Sequence, residues 1–160
     1  MKNKYFRNKE VSLIYVHELS DFCKKWNLLR NKKVDDIFLF FHGYSGNLVF
    51  NGKDMSAARI RKSLKVIKKI SGKIYLLSCN GGSKDQNNES VAAAFARIQK
   101  GIRVRAVVNG YVYYRNWNQL FSRKPLTKER GAYWADFIYC RYRGRLTMME
   151  CSIGRNWHYG

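Results

Sequence analysis

The sequence predicts an α/β fold with three layers: a largely parallel central sheet, helices on both faces of it, and a C-terminal β-hairpin. Short apolar strands of the buried type alternate with segments whose apolar residues recur at helical spacing. Two further strand-like stretches flank a glycine turn near the end of the chain. At 160 residues, with 46% hydrophobic residues, the chain is long enough to bury one core. We therefore expect a single domain over residues 1–160.

The predicted elements follow one another in strand–helix–strand order. They are a strand over Val11–Val16, a helix with apolar residues from Leu19 to Leu29, a strand over Val34–Phe41, a helix from Ser56 with an apolar stripe to Ile67 and an end at Gly72, a strand over Lys73–Ser78, a helix from Val91 that stops at Gly101, and a strand over Val104–Val108. This order favours right-handed crossovers and hence parallel strands. Ala135–Tyr142 and Arg145–Cys151 flank Arg143-Gly144, which predicts the hairpin.

Composition limits the classes of partner and compartment. The 31 Lys and Arg residues against 11 Asp and Glu give a net charge of +20, which attracts nucleic acid, acidic proteins or anionic lipid. The four cysteines form no C-x-x-C pair, so we expect reduced thiols, no metal site and no cofactor. The N-terminus lacks a signal peptide pattern. The apolar run Ile37–Phe41 is far too short to span a membrane.

Two chemically reactive residues follow neighbouring strands of the predicted sheet. His42 comes directly after one strand and Cys79 after the next, and Asn109 follows a third. The carboxyl ends of parallel strands share one edge of a sheet, where α/β folds place their ligand sites. A thiolate attacks carbonyl carbon, and a neighbouring imidazole supports its ionisation and protonates the leaving amine. The sequence therefore predicts a Cys79/His42 catalytic pair.

Glycines beside both reactive groups indicate how a substrate would be held. Glycine permits close approach of the backbone to a substrate, and backbone N–H groups stabilise an oxyanion. The N–H groups of Gly43 and Cys79 are the predicted oxyanion donors. Asn80, Gly81 and Asn109 are predicted to contact substrate.

The same residues carry a family resemblance. An apolar strand followed by His42-Gly43, and another followed by Ser78-Cys79-Asn80-Gly81, resemble the His-Gly and Cys motifs of caspase-fold peptidases. This group includes caspases, gingipains, clostripain, separase and the self-cleaving protease domains of bacterial toxins. The pentapeptide Gln-Ala-Cys-Arg-Gly of caspases is absent. Fewer residues separate His42 from Cys79 than separate the two catalytic residues of caspases, and this spacing is closer to that of the bacterial relatives. No acidic residue is assigned as a third catalytic member.

The resemblance implies a cysteine endopeptidase that acts on protein or peptide substrates. A small, basic domain of this kind is similar to bacterial toxin or effector modules. We accordingly expect a cytoplasmic protein, or one that a secretion system delivers into a target cell, with an immunity or inhibitor protein as a partner.

A nucleic-acid-binding or nuclease-like toxin domain is the main alternative. Strand alternation predicts that Tyr139, Arg141, Arg143 and Arg145 share one face of the hairpin, where they would stack on bases and pair with phosphates. The same pattern is also explained by an edge strand whose charges serve only to prevent aggregation. Non-specific association with nucleic acid is expected in either case, because of the positive charge.

A third interpretation is an esterase. Phe41–Asn47 also resembles the oxyanion loop of α/β-hydrolases, with Cys79 or Ser78 as the nucleophile. A nucleophile elbow needs glycine two residues earlier, where this chain has Leu77 and Leu76. Packing alone explains the remaining cysteines, and would also explain Cys79 if it were only a small apolar residue at a strand end.

Overall fold

Three helices and eleven strands make up the described part of the computed structural model, which covers residues 8–110, 131–153 and, by backbone alone, 157–159. The helices are α1 (Leu19–Leu28), α2 (Ala57–Ser63) and α3 (Val91–Ile98). The strands are β1 (Lys33–Val34), β2 (Ile37–Phe40), β3 (His42–Tyr44), β4 (Asn47–Phe50), β5 (Lys53–Ser56), β6 (Lys69–Ile70), β7 (Ile74–Leu77), β8 (Val104–Val108), β9 (Tyr133–Tyr142), β10 (Arg145–Ser152) and β11 (Trp157–Tyr159). The fold is mixed α/β.

The central sheet is mixed rather than largely parallel. Its six strands lie in the order β11-β10-β9-β8-β7-β2. Strands β2, β7 and β8 are parallel, as the sequence predicts, but β9 pairs antiparallel with β8, and β10 and β11 continue antiparallel. The predicted C-terminal hairpin is confirmed, with Tyr142 opposite Arg145 and with Arg143 and Gly144 at positive φ in the turn.

All three described helices pack on one face of this sheet. Their buried residues, Phe22 of α1, Ile60 of α2 and Phe95 of α3 among them, belong to one core cluster that also contains Leu39 and Leu76 from the sheet. A second, smaller cluster lies on the opposite face and consists of Tyr75, Leu77, Val107 and Trp134. The prediction of helices on both faces is therefore not confirmed. The chain between β8 and β9, with the predicted basic loop around Pro125, lies outside the described residues.

A buried group of charges lies where the parallel half of the sheet meets the antiparallel half. Arg105 of β8 faces Asp136 of β9 and donates two hydrogen bonds to its carboxylate, at 2.8 and 3.1 Å. Lys73 Nζ lies 3.7 Å from the same carboxylate, and burial lowers the pKa of Lys73. Asp136 is only 4% exposed. A buried carboxylate of this kind depends on its cationic partners, since an unpaired charge in the interior is strongly destabilising.

The first predicted strand is wrong. Val11–Val16 pairs with no described strand, and most of its side chains are exposed. Its apolar pattern is typical of a strand, whereas strand formation requires a partner that the pattern does not specify.

The helix predicted from Ser56 is shorter than expected. Ser56 caps it as predicted, accepting a hydrogen bond from the Arg59 N–H, but α2 ends at Ser63. Beyond it, side chains of α1 bind the backbone in an extended form: Asn27 Oδ1 accepts from the Lys65 N–H at 2.7 Å, and Trp26 Nε1 donates to the Lys65 carbonyl at 2.9 Å. These tertiary hydrogen bonds compete with the helix and replace its last turn.

A buried glutamine completes this arrangement. Gln99, which follows α3, is 1% exposed, and its side-chain oxygen accepts a hydrogen bond from the Ile67 N–H at 2.9 Å. Its amide nitrogen donates to the Ile67 carbonyl at 3.4 Å. Gln99 thus satisfies both backbone groups of a buried residue and ties the extended segment to α3.

Replacing Gln99 with leucine should destabilise the protein by about 2 kcal/mol or more, because both backbone groups of Ile67 lose their partner in a dry environment. Urea unfolding measures this as a lower midpoint with an unchanged slope. Lys100→Leu, at the exposed neighbouring position, is the matched control. A loss below about 0.5 kcal/mol for Gln99→Leu, as for an ordinary surface change, would contradict this role.

Candidate active site

The parallel register brings the predicted site residues to one edge of the sheet. Phe40 of β2 lies opposite Leu77 of β7, so His42 and Cys79 are each two residues beyond a paired position. Leu76 lies opposite Ala106 of β8, and Asn109 is accordingly level with Cys79. The register thus places the sequence-predicted residues that follow three strands at the same edge of the sheet.

The chain after β2 contacts the chain after β7 directly through Gly43. A Cβ atom on this glycine would lie 3.2 Å from Ser78 Cβ and 3.3 Å from the Cys79 carbonyl oxygen. It would also lie 2.9 Å from the Asn47 carbonyl oxygen, closer than real Cβ atoms come. A side chain at position 43 would therefore force the two segments apart, and glycine is what allows their backbones to touch.

Strands β3, β4 and β5 form a small antiparallel sheet that the sequence analysis missed. Its inner face carries Leu48 and Met55, both fully buried, and Gly43 lies opposite Leu48 on that face. Because side chains alternate along a strand, His42 and Tyr44 project from the outer face, where both are exposed. Short, polar strands with few β-branched residues gave no clear signal of this sheet in the sequence.

Among the described residues, no carboxylate is hydrogen-bonded to His42. The nearest acidic residue on the outer face by register is Asp54, and its carboxylate accepts a hydrogen bond from the Tyr44 hydroxyl. This bond raises the pKa of Tyr44, because ionisation would place two negative charges together. Within the described residues, no acidic side chain therefore orients the His42 imidazole.

The loop after Cys79 is held by its own backbone groups. The Asn80 N–H donates to the Gly110 carbonyl at 2.8 Å, and the Gly81 N–H donates to the Ser78 carbonyl at 3.3 Å. Asn80 itself adopts a left-handed conformation, with φ of 52°. The backbone N–H groups of these two predicted substrate contacts are therefore used in shaping the loop.

Side chains fasten the same loop to the end of β8. Ser83 Oγ accepts a hydrogen bond from the Asn109 N–H at 2.8 Å and donates to Asn80 Oδ1 at 3.2 Å. The Gly82 N–H donates to the Val107 carbonyl at 2.8 Å. Of the residues predicted to bind substrate, only Asn109 is exposed. These contacts fix the position of Cys79 relative to two neighbouring strands.

The two predicted oxyanion donors are differently placed. In a two-residue hairpin the residues that flank the turn, here Tyr44 and Asn47, exchange backbone hydrogen bonds. Because hydrogen-bonded and non-hydrogen-bonded pairs alternate, the next pair, Gly43 and Leu48, does not. The N–H of Gly43 consequently points away from β4. Within the described residues, the N–H of Cys79 has no backbone hydrogen bond outside the regular strands and helices.

A buried hydroxyl at this edge was missed by the sequence analysis as a site feature. Ser78 is 1% exposed, and its Oγ has no hydrogen-bond partner in the described part of the chain. Added Cβ atoms on Gly43 and Gly81 would both contact the Ser78 side chain, so the loops after β2 and β7 enclose it together. The only available signal was a polar residue at the end of a strand of the buried type.

An open cleft of about 370 Å³ adjoins the rim. One wall is the turn between β3 and β4, and the other is the loop after Cys79; the cleft is lined by Tyr44, Ser45, Asn47, Lys84, Asp85 and Gln86. The two walls meet where Gly46, at φ of 76°, packs on Asp85. A Cβ atom added to Gly46 would lie 2.5 Å from the Asp85 Cβ. Asp85 Oδ1 in turn accepts the N–H groups of Asn87 and Glu89.

Comparisons of this chain with protein-family models, with curated proteins and with solved structures return no match. In residues 8–110 and 131–153, no three His, Cys, Asp or Glu side chains are grouped so that they could hold a metal ion. No helix of the described chain has the length and apolar character needed to cross a membrane.

The other described cysteines are packed in ways that oppose reactivity. Burial raises the pKa of Cys23 on α1. Burial, followed by the negative charge of Asp136, raises the pKa of Cys151. Cys140 is half-buried, with its Sγ 3.7 Å from the Met149 sulfur.

We expect limiting iodoacetamide at pH 7.5 to label Cys79 before Cys23 and Cys151, because the raised pKa of those two thiols reduces the thiolate that reacts. Cys140 should also react after Cys79, because its Sγ is in contact with the Met149 sulfur. Peptide mass spectrometry of the native protein, quenched at short times, gives the order. The urea-unfolded protein serves as a control in which all four sites should react at similar rates. Labelling of Cys23 or Cys151 ahead of Cys79 in the native protein would contradict the expected order.

Proposed function

We propose that this chain is a cysteine endopeptidase with a caspase-like arrangement, in which Cys79 is the nucleophile and His42 the general acid and base. The observation that carries the proposal is the backbone contact of Gly43 with Ser78 and Cys79, which joins the two strand ends at one rim. Half-burial of Cys79 and exposure of His42 leave both side chains accessible at the edge of the sheet.

The proposed reaction begins with transfer of the Cys79 proton to the His42 imidazole. The thiolate forms a bond with the carbonyl carbon of the substrate, and the N–H groups of Gly43 and Cys79 stabilise the negative oxygen. The His42 imidazolium then donates its proton to the departing amine as the C–N bond breaks. Water, deprotonated by the imidazole, hydrolyses the resulting thioester and regenerates the thiol. The exposed His42 side chain must turn toward Cys79 for the first step.

The cleft between Tyr44 and Lys84 is where we place the substrate chain. Its walls extend from the two segments that carry His42 and Cys79, two residues after the histidine and five after the cysteine. A peptide bound there would pass over the rim and present a carbonyl to the thiol. Proteins or peptides are accordingly the proposed substrates.

Nucleic-acid recognition by the hairpin receives less support, because its basic residues do not share one face. Arg143 lies in the turn at φ of 47°, and Arg145 lies opposite Tyr142, on the face away from Tyr139 and Arg141. The prediction of a single aromatic and basic face is therefore wrong. Because residue 143 lies in the two-residue turn, the alternation of side chains along β9 does not continue into β10. The net charge of +20 still favours non-specific binding to polyanions.

The biological setting is part of the proposal. A basic endopeptidase of this size suits a bacterial toxin or effector that acts in the cytoplasm of the producing cell or of a target cell, restrained by an immunity or inhibitor protein. Acidic character in that partner would match the charge of the enzyme.

Cys79→Ala should lower peptide-bond cleavage by a factor of about 10³ or more, and His42→Ala by about 10² or more, because one removes the bond-forming atom and the other the proton carrier. Mass spectrometry of new N-termini in a bacterial lysate treated with purified protein measures this and also gives the cleavage specificity. Cys140→Ala, a half-buried thiol in β9, is the matched control and should retain full activity.

Cleavage that survives in Cys79→Ala with an unchanged melting temperature would overturn the proposed chemistry. If the wild type and Cys79→Ala degrade RNA or DNA at equal rates, the nuclease-like alternative replaces the peptidase proposal.

A further inference from the structure

Two segments of the chain, residues 28–33 and 62–69, contain seven Lys or Arg residues and no Asp or Glu. All seven of these side chains are exposed. None of them forms an ion pair with another residue of the described chain. We call the two segments together the basic surface, because they carry a concentration of positive charge that the rest of the described protein does not neutralise.

Hydrogen bonds hold the two segments of the basic surface side by side. The Lys65 N–H donates to Asn27 Oδ1 at 2.7 Å, and the Lys68 N–H donates to the Arg30 carbonyl at 2.9 Å. Both segments lead into strands that pair in parallel, β1 and β6. Since β1 and β6 precede β2 and β7 in the chain, the basic surface lies toward the amino ends of those two strands. The rim that contains Cys79 lies at their carboxyl ends.

Two lysines of this surface lie directly opposite each other. Lys33 of β1 pairs with Lys69 of β6, on neighbouring strands that are about 5 Å apart. The acidic residues that follow β1 are bound to the turn after β6: Asp35 Oδ1 accepts from the Ser71 hydroxyl at 2.7 Å, and Asp36 Oδ1 accepts from the Lys73 N–H at 2.8 Å. Like charges at paired positions repel each other, so an anion that bridges the two ammonium groups would be bound favourably.

Two exposed aliphatic side chains lie among these charges. The hydrogen bonds of residue 27 with residue 65 and of residue 30 with residue 68 place Leu28 level with Val66. Leu28 is 63% exposed and Val66 is 44% exposed. A single exposed leucine is ordinary on a protein surface, but two aliphatic side chains within a cluster of cations favour a partner that offers both negative charge and an apolar environment.

Three kinds of partner carry the negative charge that this surface needs: nucleic acid, acidic protein and anionic lipid. Single-stranded nucleic acid gains from stacking on aromatic rings, and neither segment contains an aromatic residue. Protein–protein interfaces are poor in lysine, whereas six of the seven cations here are lysine. A bilayer with anionic headgroups provides phosphate groups for the ammonium groups and an acyl layer for the aliphatic side chains.

We propose that the basic surface binds the headgroup region of a bilayer that contains anionic lipid, with Leu28 and Val66 inserted between the headgroups. Each Lys or Arg close to such a membrane strengthens binding, and the apolar stems of the lysines lie along the acyl boundary while their ammonium groups contact phosphate. Because the rim is at the other ends of the parallel strands, Cys79 stays accessible in the bound protein. The membrane contact is independent of the chemistry proposed for Cys79.

Co-sedimentation with vesicles tests the contribution of charge. At about 0.15 M salt, the wild type should bind phosphatidylcholine vesicles with about 30 mol% phosphatidylglycerol at least about tenfold more tightly than pure phosphatidylcholine vesicles. Lys33→Gln combined with Lys69→Gln should weaken binding to the anionic vesicles by about tenfold or more. Lys53→Gln combined with Lys84→Gln is the matched control. It removes the same charge from β5 and from the cleft beside the rim, and should weaken binding by less than about threefold.

Substitution of the aliphatic pair separates a bilayer from other polyanions. Leu28→Ser combined with Val66→Ser leaves the net charge unchanged and should weaken vesicle binding by about fivefold or more, because less apolar surface is buried. The same variant should bind a labelled single-stranded oligonucleotide as the wild type does, since phosphates gain nothing from aliphatic side chains. Leu146→Ser, at an exposed position in β10, is the control and should bind vesicles normally. The melting temperature of each variant shows that it is folded.

Three results would overturn the proposal. The first is equal binding of the wild type to neutral and to anionic vesicles. The second is an equal loss of vesicle binding in the Lys33/Lys69 and Lys53/Lys84 double variants, which would mean that the net charge alone is responsible. The third is unchanged vesicle binding by the Leu28/Val66 double variant, which would make the basic surface a general polyanion site.

Discussion

The parallel, in-register pairing of β2 with β7 and of β7 with β8 is the constraint on which the rest of this structure depends. Each strand places alternate residues on the helix-covered face, with Leu39 and Leu76 as neighbours there. A slip of one residue would turn these side chains to the other face and expose them. The register is thus fixed by burial, and it alone decides which residues meet beyond the strand ends.

The antiparallel half of the sheet is joined to this parallel core through a charged pair. Arg105 and Asp136 are directly opposite each other on β8 and β9, and Lys73 adds a second positive charge. Such a pair contributes little net stability compared with an apolar pair of similar size, but any other register would leave Asp136 buried without a partner. The main consequence of the pair is that it specifies the alignment of β8 with β9. The charge of Asp136 also adds to the effect of burial, which is the larger cause of the raised pKa of Cys151.

Local patterns in the sequence were sufficient to predict the core elements. The apolar blocks of β2, β7 and β8, the cap Ser56 and the Arg143-Gly144 turn are determined by residues near them in the chain. The juxtaposition of His42-Gly43 with Cys79 followed from strand order and the common direction of parallel strands.

Features set by distant residues could not be predicted in this way. The end of α2 depends on Asn27 and Gln99, which lie more than thirty residues away in sequence. The mixed character of the sheet depends on how β9 returns to β8, which is not visible in either strand alone. Val11–Val16 shows the same limit, since an apolar pattern predicts strand character but does not supply the neighbour that a strand needs.

The close contact of Gly43 with Ser78 is the central claim, because it joins the two strand ends that carry His42 and Cys79. Nuclear Overhauser measurements on isotope-labelled protein test it without any substitution. The contact predicts a strong cross-peak between a Gly43 Hα and the Ser78 Hβ protons, since a Cβ at that Hα position would lie 3.2 Å from Ser78 Cβ. Absence of this cross-peak, while cross-peaks between paired residues of β2 and β7 are present, would contradict the account.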